Sequence, residues 1–329
     1  MKCLVTGGAG FIGSHLVEAL AKEQHEVVIL DNLDPYYDPN QKVLNLDAQL
    51  SNPNVEFVRG DIRDDKMVRR LVEDSDVVFH EAGRPGVRSS MPSVNSQGPW
   101  EVMSINYGGT LNVLNAALET DSTRVILASS SSIYGETSIP TTENSPKNPS
   151  SFYGLSKLAA DRACLLYSQY YGLPTTCLRY FSVYGPRQRP DMAIHEFTQK
   201  IVRCLDVQIF GDGQQKRDNT YVSDVVEANL KAASISRTRG EAFNIGTGRP
   251  TSVIDLIAKI ASTVSDRLGV TCKPKLKHIG RQNGDVRTTQ CSPEKAARLM
   301  NWQASTTLDE GLEAFIEWHC GARCPSIGY

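Results

Sequence analysis

Short apolar runs alternate with longer amphipathic segments through the first 180 residues. Clustered apolar and β-branched residues predict strands at Cys3–Thr6, Glu26–Leu30, Val55–Arg59, Val77–His80, Val125–Ala128 and Thr175–Leu178. Apolar spacing and length predict helices at Ile12–Lys22, Lys66–Glu73, Trp100–Glu119 and Tyr153–Tyr171. Strands joined by crossover helices run parallel and are buried on both faces, so they need no strict polar alternation. The pattern predicts an α/β fold of Rossmann type, a doubly wound parallel sheet whose ligands bind at the carboxyl ends of the strands.

After residue 180 the rhythm loosens into Gly/Pro/Arg-rich loops at Gly185–Pro190 and Gly211–Arg217, with helices predicted at Val253–Arg267 and Leu308–His319. This part reads as a smaller C-terminal substrate-binding domain. The expected division is 1–180, with 219–247 returning to it, against 181–218 with 248–329.

Forty per cent hydrophobic and 22% charged residues with a formal charge of −2 describe an ordinary globular chain, without the basic excess of a nucleic-acid partner. Local positive sites must therefore carry any anion binding. Met1-Lys2 runs straight into Cys3-Leu4-Val5 with no leader pattern, and no long apolar stretch follows, so a cytoplasmic protein without a membrane partner is expected. The eight cysteines form no CxxC pair and read as reduced, mostly buried thiols with no metal. Cys320 and Cys324 are near enough in sequence to bridge or to bind a metal, the less favoured reading.

The first predicted strand runs into Thr6-Gly7-Gly8-Ala9-Gly10-Phe11-Ile12-Gly13-Ser14-His15 and then a helix. Glycines there permit a tight turn and close approach of backbone N–H groups to a pyrophosphate, which the helix N-terminus also favours. Asp31, ending the second strand beside Asn32, suits the adenosine ribose hydroxyls and repels a 2′-phosphate, so NAD is expected rather than NADP. A strand-ending turn is the plainer reading of Asp31-Asn32 alone. Asp61-Ile62 offers an adenine contact, although Asp61 equally suits a helix cap.

Tyr153-Gly154-Leu155-Ser156-Lys157 puts a phenol and an ammonium on one helix face. A nearby cation favours phenolate, which a base for an alcohol proton needs to be. The preceding loop, Ser129-Ser130-Ser131-Ser132-Ile133-Tyr134-Gly135, supplies hydroxyls to align that proton, or is simply a polar turn.

Together these residues resemble the extended short-chain dehydrogenase/reductase superfamily, in its sugar-nucleotide epimerase and dehydratase branch, over nearly the whole length. TGGAGFIGSH at Thr6–His15, YGLSK at Tyr153–Lys157, LRYFSVYGP at Leu178–Pro186, RDNTYVSD at Arg217–Asp224 and FNIGTG at Phe243–Gly248 stand in that branch's order. The resemblance implies NAD contacts at Gly7, Gly10, Phe11, Ile12, Gly13, Asp31, Asn32, Asp61, Ile62, Ala82, Asn106 and Tyr180, together with Tyr153 and Lys157. Ser130, four residues before Tyr134, matches the branch's catalytic hydroxyl. Diphosphate contacts of a UDP-sugar would fall on Arg217, Arg281 and Asp285.

Dehydratases and decarboxylases of the branch carry an acid two residues before the loop tyrosine, where this chain has Ser132. Epimerisation at C4 needs only Tyr153, Lys157 and the cofactor, so it is the expected reaction. Asp31–Asn40, Gly86-Val87-Arg88-Ser89 and Gly185–Ala193 are similar to the UDP-glucuronate 4-epimerase family. A guanidinium fork suits a C6 carboxylate, which makes Arg189 the expected recognition residue, with Arg88, Ser132 and Ser182 beside the sugar. A solvated loop or subunit contact is the plainer role for Arg187 and Arg189.

Alternatives are a UDP-glucose or UDP-N-acetylglucosamine 4-epimerase, a decarboxylase or dehydratase working through Ser131/Ser132 and water, and a non-enzymatic NAD sensor. The resemblance also implies a homodimer through the Trp100–Glu119 and Tyr153–Tyr171 helices, unless their apolar stripes face the protein's own sheet. Ser182 stands where hexose epimerases carry asparagine. Glu81-Ala82-Gly83 replaces the usual Leu-Ala-Ala and suggests no role from sequence.

Overall fold

The computed structural model describes residues 1–87, 90–91, 98–120, 123–280 and 286–323. The first half comprises β1 Lys2–Thr6, α1 Phe11–Lys22, β2 Glu26–Asp31, α2 Pro39–Leu50, β3 Val55–Arg59, α3 Asp65–Glu73, β4 Val77–His80, α4 Gly98–Met103, α5 Gly109–Leu118, β5 Arg124–Ser130 and α6 Phe152–Tyr171. There follow β6 Thr175–Tyr180, β7 Ser182–Tyr184, α7 Ala193–Val202, β8 Val207–Phe210, β9 Lys216–Tyr221, α8 Val222–Ser234 and β10 Glu241–Ile245. The chain ends with β11 Pro250–Ser252, α9 Val253–Leu268, β12 Leu276–Ile279, α10 Glu294–Met300 and α11 Leu308–Arg323.

Seven parallel strands join in the order β10-β6-β5-β4-β1-β2-β3. The doubly wound sheet expected from sequence is present. Its winding reverses between β1 and β4, which opens a crevice at their carboxyl ends. Every residue of β4, β5 and β6 is buried, the reason these strands read as unbroken apolar runs, whereas the edge strand β3 is only partly covered.

Helices α1, α8 and α10 pack on one face through Leu16, Val17, Val225, Ala228 and Met300. Helices α3, α5 and α6 cover the other through Val68, Val113, Leu114, Ala160 and Cys164. A third apolar cluster joins α7, α9 and α11 through Phe197, Ile257, Ile260 and Phe315. Cys3, Cys164, Cys177 and Cys291 are buried and Cys204 is exposed; Cys324 lies outside the described residues. Among the described residues no helix is long and apolar enough to cross a membrane.

Two differences from the predicted elements have local causes. The helix predicted over Trp100–Glu119 is divided by a π turn at Ser104–Gly108, an extra residue that widens one turn. Helix α3 is capped by Asp64, whose carboxylate accepts from Met67 N at 3.1 Å, so the cap role considered for Asp61 belongs to its neighbour.

Candidate active site

One cavity at the strand ends is lined by most of the residues singled out from sequence: Gly7, Gly10, Phe11, Ile12, Gly13, Asp31, Asn32, Asp61, Ile62, Ala82, Tyr153, Lys157, Tyr180 and Arg189. Glu81, Arg84, Lys42, Tyr36, Tyr37 and Ser129 also line it and were not named as ligands by the sequence.

The glycine loop is closed upon itself. Gly7 has φ +70°, its N–H donates to Leu30 O at 2.7 Å, and Gly10 N donates back to Gly7 O at 3.0 Å. A Cβ on Gly7 would lie 2.7 Å from the Ala82 backbone, and one on Gly13 would lie 2.3 Å from Gly7 O. Only glycine allows this approach of β1, β4 and the start of α1. The helix N-terminus so exposed, its first turn lacking a side-chain cap, fits a dinucleotide pyrophosphate.

Asp31 ends β2 and accepts from Ala9 N at 3.1 Å and Leu33 N at 2.8 Å. Burial raises its carboxyl, while the Lys42 ammonium and those two N–H groups act the other way. Asp61 is chelated by Arg63, which holds its carboxyl down at about 2, and it accepts from Asn32 Nδ2 at 3.0 Å. Asp31 and Asp61 thus put two carboxylates at this end of the cavity, with Lys42 and Arg63 beside them.

Helix α6 carries the proposed proton-transfer pair. Ser151 caps it by accepting from Gly154 N at 3.0 Å, and Ser90 Oγ accepts from Tyr153 N at 3.0 Å. Buried Lys157 donates from Nζ to Ala128 O, at the end of β5, at 2.8 Å. A Cβ on Gly154 would lie 2.5 Å from Ser132 O, so glycine there lets the serine turn seat directly on the helix that bears Tyr153.

Several sequence-named residues lie off the cavity wall. Ser130 is nearly buried beside Tyr180 in the β5–β6 register, and its Oγ accepts from Ser132 N at 3.1 Å, capping the single turn Ser131–Ile133. It is Ser129 that lines the cavity, while its Oγ donates to buried Asp161 at 2.8 Å. Ser132 and Ser182 are half-buried on that turn and at the start of β7. Asn106, on the π turn, is behind the wall: its Oδ1 accepts from Arg84 N at 2.7 Å, and its Nδ2 donates to Arg84 O and Ser156 Oγ. Arg217 sits on β9, donating to Lys216 O at 2.9 Å. Arg88, Arg281 and Asp285 lie outside the described residues.

Arg187 and Arg189 part company. Arg187 reaches α1, where Nη2 donates to Glu18 at 2.6 Å, and so ties its loop to the helix of the glycine motif. Arg189 faces the cavity, its fork on Asp191 at 3.0 and 3.3 Å and its guanidinium 6.0 Å above the Tyr36 ring. Tyr36 OH donates to the same Asp191, and Arg84 stacks on that ring at 4.7 Å while pairing with Asp34 at 2.6 Å. The sequence signal for this cluster was present in the paired tyrosines of Asp31–Asn40, which read as a family stretch rather than as contacts.

The NAD dependent epimerase/dehydratase family matches residues 3–246. A Bacillus subtilis protein described as an uncharacterized UDP-glucose epimerase, YtcB, is 37% identical over 95% of this chain and 96% of its own length. The UDP-glucuronate 4-epimerase of Thermodesulfobacterium geofontis is 34% identical over 96% of this chain and 95% of that protein. The crystal structure of UDP-glucuronic acid 4-epimerase from Bacillus cereus, in complex with UDP-glucuronic acid and NAD, superimposes with a TM-score of 0.91 at 33% identity, covering 98% of this chain and all of that one.

Proposed function

Because the chain belongs to the NAD dependent epimerase/dehydratase family, an NAD-dependent UDP-sugar 4-epimerase, we propose that its substrate pair is UDP-glucuronate and UDP-galacturonate. One observation carries the reading: Arg189 lines the same cavity as Tyr153, Lys157 and the dinucleotide loop. A guanidinium at that place pairs with a carboxylate through two charge-assisted hydrogen bonds. The names of the Thermodesulfobacterium and Bacillus cereus relatives point to the same sugar.

In this reading the glycine loop, Asp31, Asn32, Asp61, Ile62 and Ala82 hold NAD, which supplies the acceptor for the C4 hydrogen and returns it to the opposite face. Tyr153 removes the 4-hydroxyl proton, aligned by Ser130 once its Oγ leaves Ser132 N and turns to the cavity. Lys157 anchors the helix on Ala128. The 4-keto sugar turns about its diphosphate link before the proton is given back. That intermediate is a β-keto acid, which loses carbon dioxide when its carboxylate bond aligns with the carbonyl π system. Arg189, Ser132 and Ser182 hold the bond out of alignment. Arg88, Arg217, Arg281 and Asp285 are assigned to the sugar nucleotide, whose binding we give to 181–218 and 248–329, and NAD binding to 1–180 with 219–247.

We also assign a cytoplasmic homodimer. Exposed Trp100, Leu166, Tyr170 and Tyr171 on α4 and α6 support pairing of those helices with their symmetry mates, and the buried cysteine thiols suit a reducing compartment.

Incubation with UDP-glucuronate, UDP-glucose and UDP-N-acetylglucosamine, read by NMR of C4 stereochemistry and of lost carboxylate, tests the assignment. Inversion of UDP-glucuronate without carbon dioxide is expected. Turnover of a neutral sugar alone gives the UDP-glucose or UDP-N-acetylglucosamine alternative; carbon dioxide or an accumulating ketone gives a decarboxylase or dehydratase.

A further inference from the structure

Glu81 follows His80 at the carboxyl end of β4 and lines the cavity, yet proton transfer as described leaves it idle. The Tyr180 phenol donates to Glu81 Oε1 at 2.7 Å, and Asn229 Nδ2 donates to the Tyr180 oxygen at 2.8 Å. Asn229 also donates to Val225 O at 2.9 Å. The acid is therefore fixed by a chain of bonds that runs from β4 through β6 to α8. It shares the cavity wall with Ser129, Tyr153 and Lys157, and the Lys157 ammonium acts on its carboxyl. A Cβ on Gly83, two residues on, would lie 3.1 Å from Lys157 Nζ.

We propose that Glu81 sets the oxidation balance of the bound nicotinamide: its carboxylate favours the cationic, oxidised ring over the neutral, reduced one. The inference rests on reading Tyr153 as the group that takes the alcohol proton, since hydride leaves the carbon bearing that alcohol and the acceptor ring must lie at the same end. Accepting a hydride removes the ring's positive charge, so any fixed charge nearby weighs on one oxidation state. The Lys157 ammonium weighs toward the neutral ring; Glu81 weighs the other way. A reaction that must give its hydride back needs both directions within reach, and two opposed charges around one ring provide that balance. The acid also titrates near neutrality, because burial pushes its carboxyl up to about 7 against the opposing effects of the Tyr180 bond and Lys157. The groups that act on it are Lys157 from α6 and Tyr180 from β6, whose phenol burial keeps protonated; Tyr153 shares the cavity wall, and the ring of the preceding His80 is bonded instead to Thr6 and Thr110, where burial keeps it neutral, down at about 3.

The test uses holoenzyme of the parent, Glu81→Gln and Glu81→Leu, equilibrated with a mediator dye couple over a pH series, with bound reduced cofactor read by its near-ultraviolet absorbance. No sugar is present. Under mildly alkaline conditions both variants should hold about tenfold more reduced over oxidised cofactor than the parent, roughly 30 mV for a two-electron couple. The parent should show a pH step, toward oxidised cofactor as pH rises, that both variants lack. Glu81→Gln keeps an acceptor for Tyr180, so a purely structural role predicts no shift there. Equal ratios in parent and Glu81→Gln at every pH overturn the proposal; if the Gln variant does not fold, equality of parent and Glu81→Leu does so. Tyr153→Phe should keep the parent's pH step, so an error in the proton-transfer reading appears in turnover and an error in this one appears in the ratio.

Discussion

Asp161 and Arg179 face each other in a two-pronged ion pair, Nε to Oδ2 at 2.9 Å and Nη2 to Oδ1 at 2.8 Å, with side-chain exposures of 0% and 2%. Asp161 lies one helical turn beyond Lys157 on α6, and Arg179 lies beside Ser129 in the β5–β6 register. Ser129 Oγ donates to Asp161, Arg179 Nη1 donates to Tyr134 OH at 2.9 Å, and Tyr134 OH donates to Asn244 at 2.7 Å. The pair thus clamps both ends of the serine turn to the helix of Tyr153.

Removing one partner strands a buried charge, so Asp161→Ala should lose about 3–5 kcal/mol of stability in urea denaturation. Asp161→Leu combined with Arg179→Met should regain most of that loss. Its kcat should stay depressed, because Ser129 still lacks Asp161 and Tyr134 still lacks Arg179. Recovery of full activity in the double variant would show that the clamp does not position the turn.

Tyr153→Phe keeps the ring and deletes the proton acceptor. A positioned acid or base contributes about 10²–10⁴-fold, so kcat should fall by that range while NAD content after gel filtration stays at the parent level. Turnover within threefold of the parent sinks the assignment of Tyr153.

Gly13→Ala places a methyl 2.3 Å from Gly7 O and 2.8 Å from Gly8 Cα, both backbone atoms that cannot swing aside. The loop must open, and NAD affinity should drop at least tenfold by fluorescence titration, an order-of-magnitude expectation from losing one or two backbone hydrogen bonds. Gly321→Ala, where a methyl meets nothing within 4 Å, serves as the control and should bind NAD like the parent.

The sheet was legible because strands buried on both faces and crossover helices leave a coarse apolar signature, seen in Val77–His80, and even the partly covered edge strand Val55–Arg59 keeps its predicted limits. Elements after residue 180 were less so: β9 reads KRDNTY, a polar strand of a small sheet, and α8 was not predicted, only its first three residues, Val222–Asp224, falling within a noted motif. The cofactor loop, Asp31 and the Tyr153–Lys157 pair were legible because each depends on local spacing. Glu81, Asp161 and Arg179 were not, because their meaning comes from partners 18 to 99 residues away. Ser130 shows the converse limit: the motif located it, but whether its Oγ caps a turn or faces the cavity is decided by a rotamer.

Glu81 also carries a stability signature. Burial raises its carboxyl from 4.5 to about 7, so the native state of the cofactor-free protein holds that proton more tightly than the unfolded chain does. The stabilisation this gives is complete below the unfolded value and is lost as pH climbs through about 7. Glu81→Gln has no proton to lose. Its stability relative to the parent should therefore grow between pH 4.5 and about 7 and then level off, by on the order of 1–3 kcal/mol in urea titrations at fixed pH. A difference that is flat with pH removes Glu81 as the titrating group.

The proposed role of Arg189 is to select the acidic sugar. Its fork rests on Asp191, a carboxylate already held in the two-bond geometry that a C6 carboxylate would present, and Tyr36 braces both residues. A hydrogen bond to a charged group is worth about 1.5–3 kcal/mol, so Arg189→Ala should cut kcat/KM for UDP-glucuronate by roughly tenfold to a hundredfold. A neutral UDP-sugar makes no such bond, and its kcat/KM should move less than threefold. Arg189→Lys should recover only part of the loss, because an ammonium keeps the charge without the planar fork. Carbon dioxide release per turnover should rise in Arg189→Ala, since the carboxylate is then free to align with the C4 carbonyl. Equal losses on acidic and neutral sugars would make Arg189 a structural element of its loop and return the substrate to the UDP-glucose alternative.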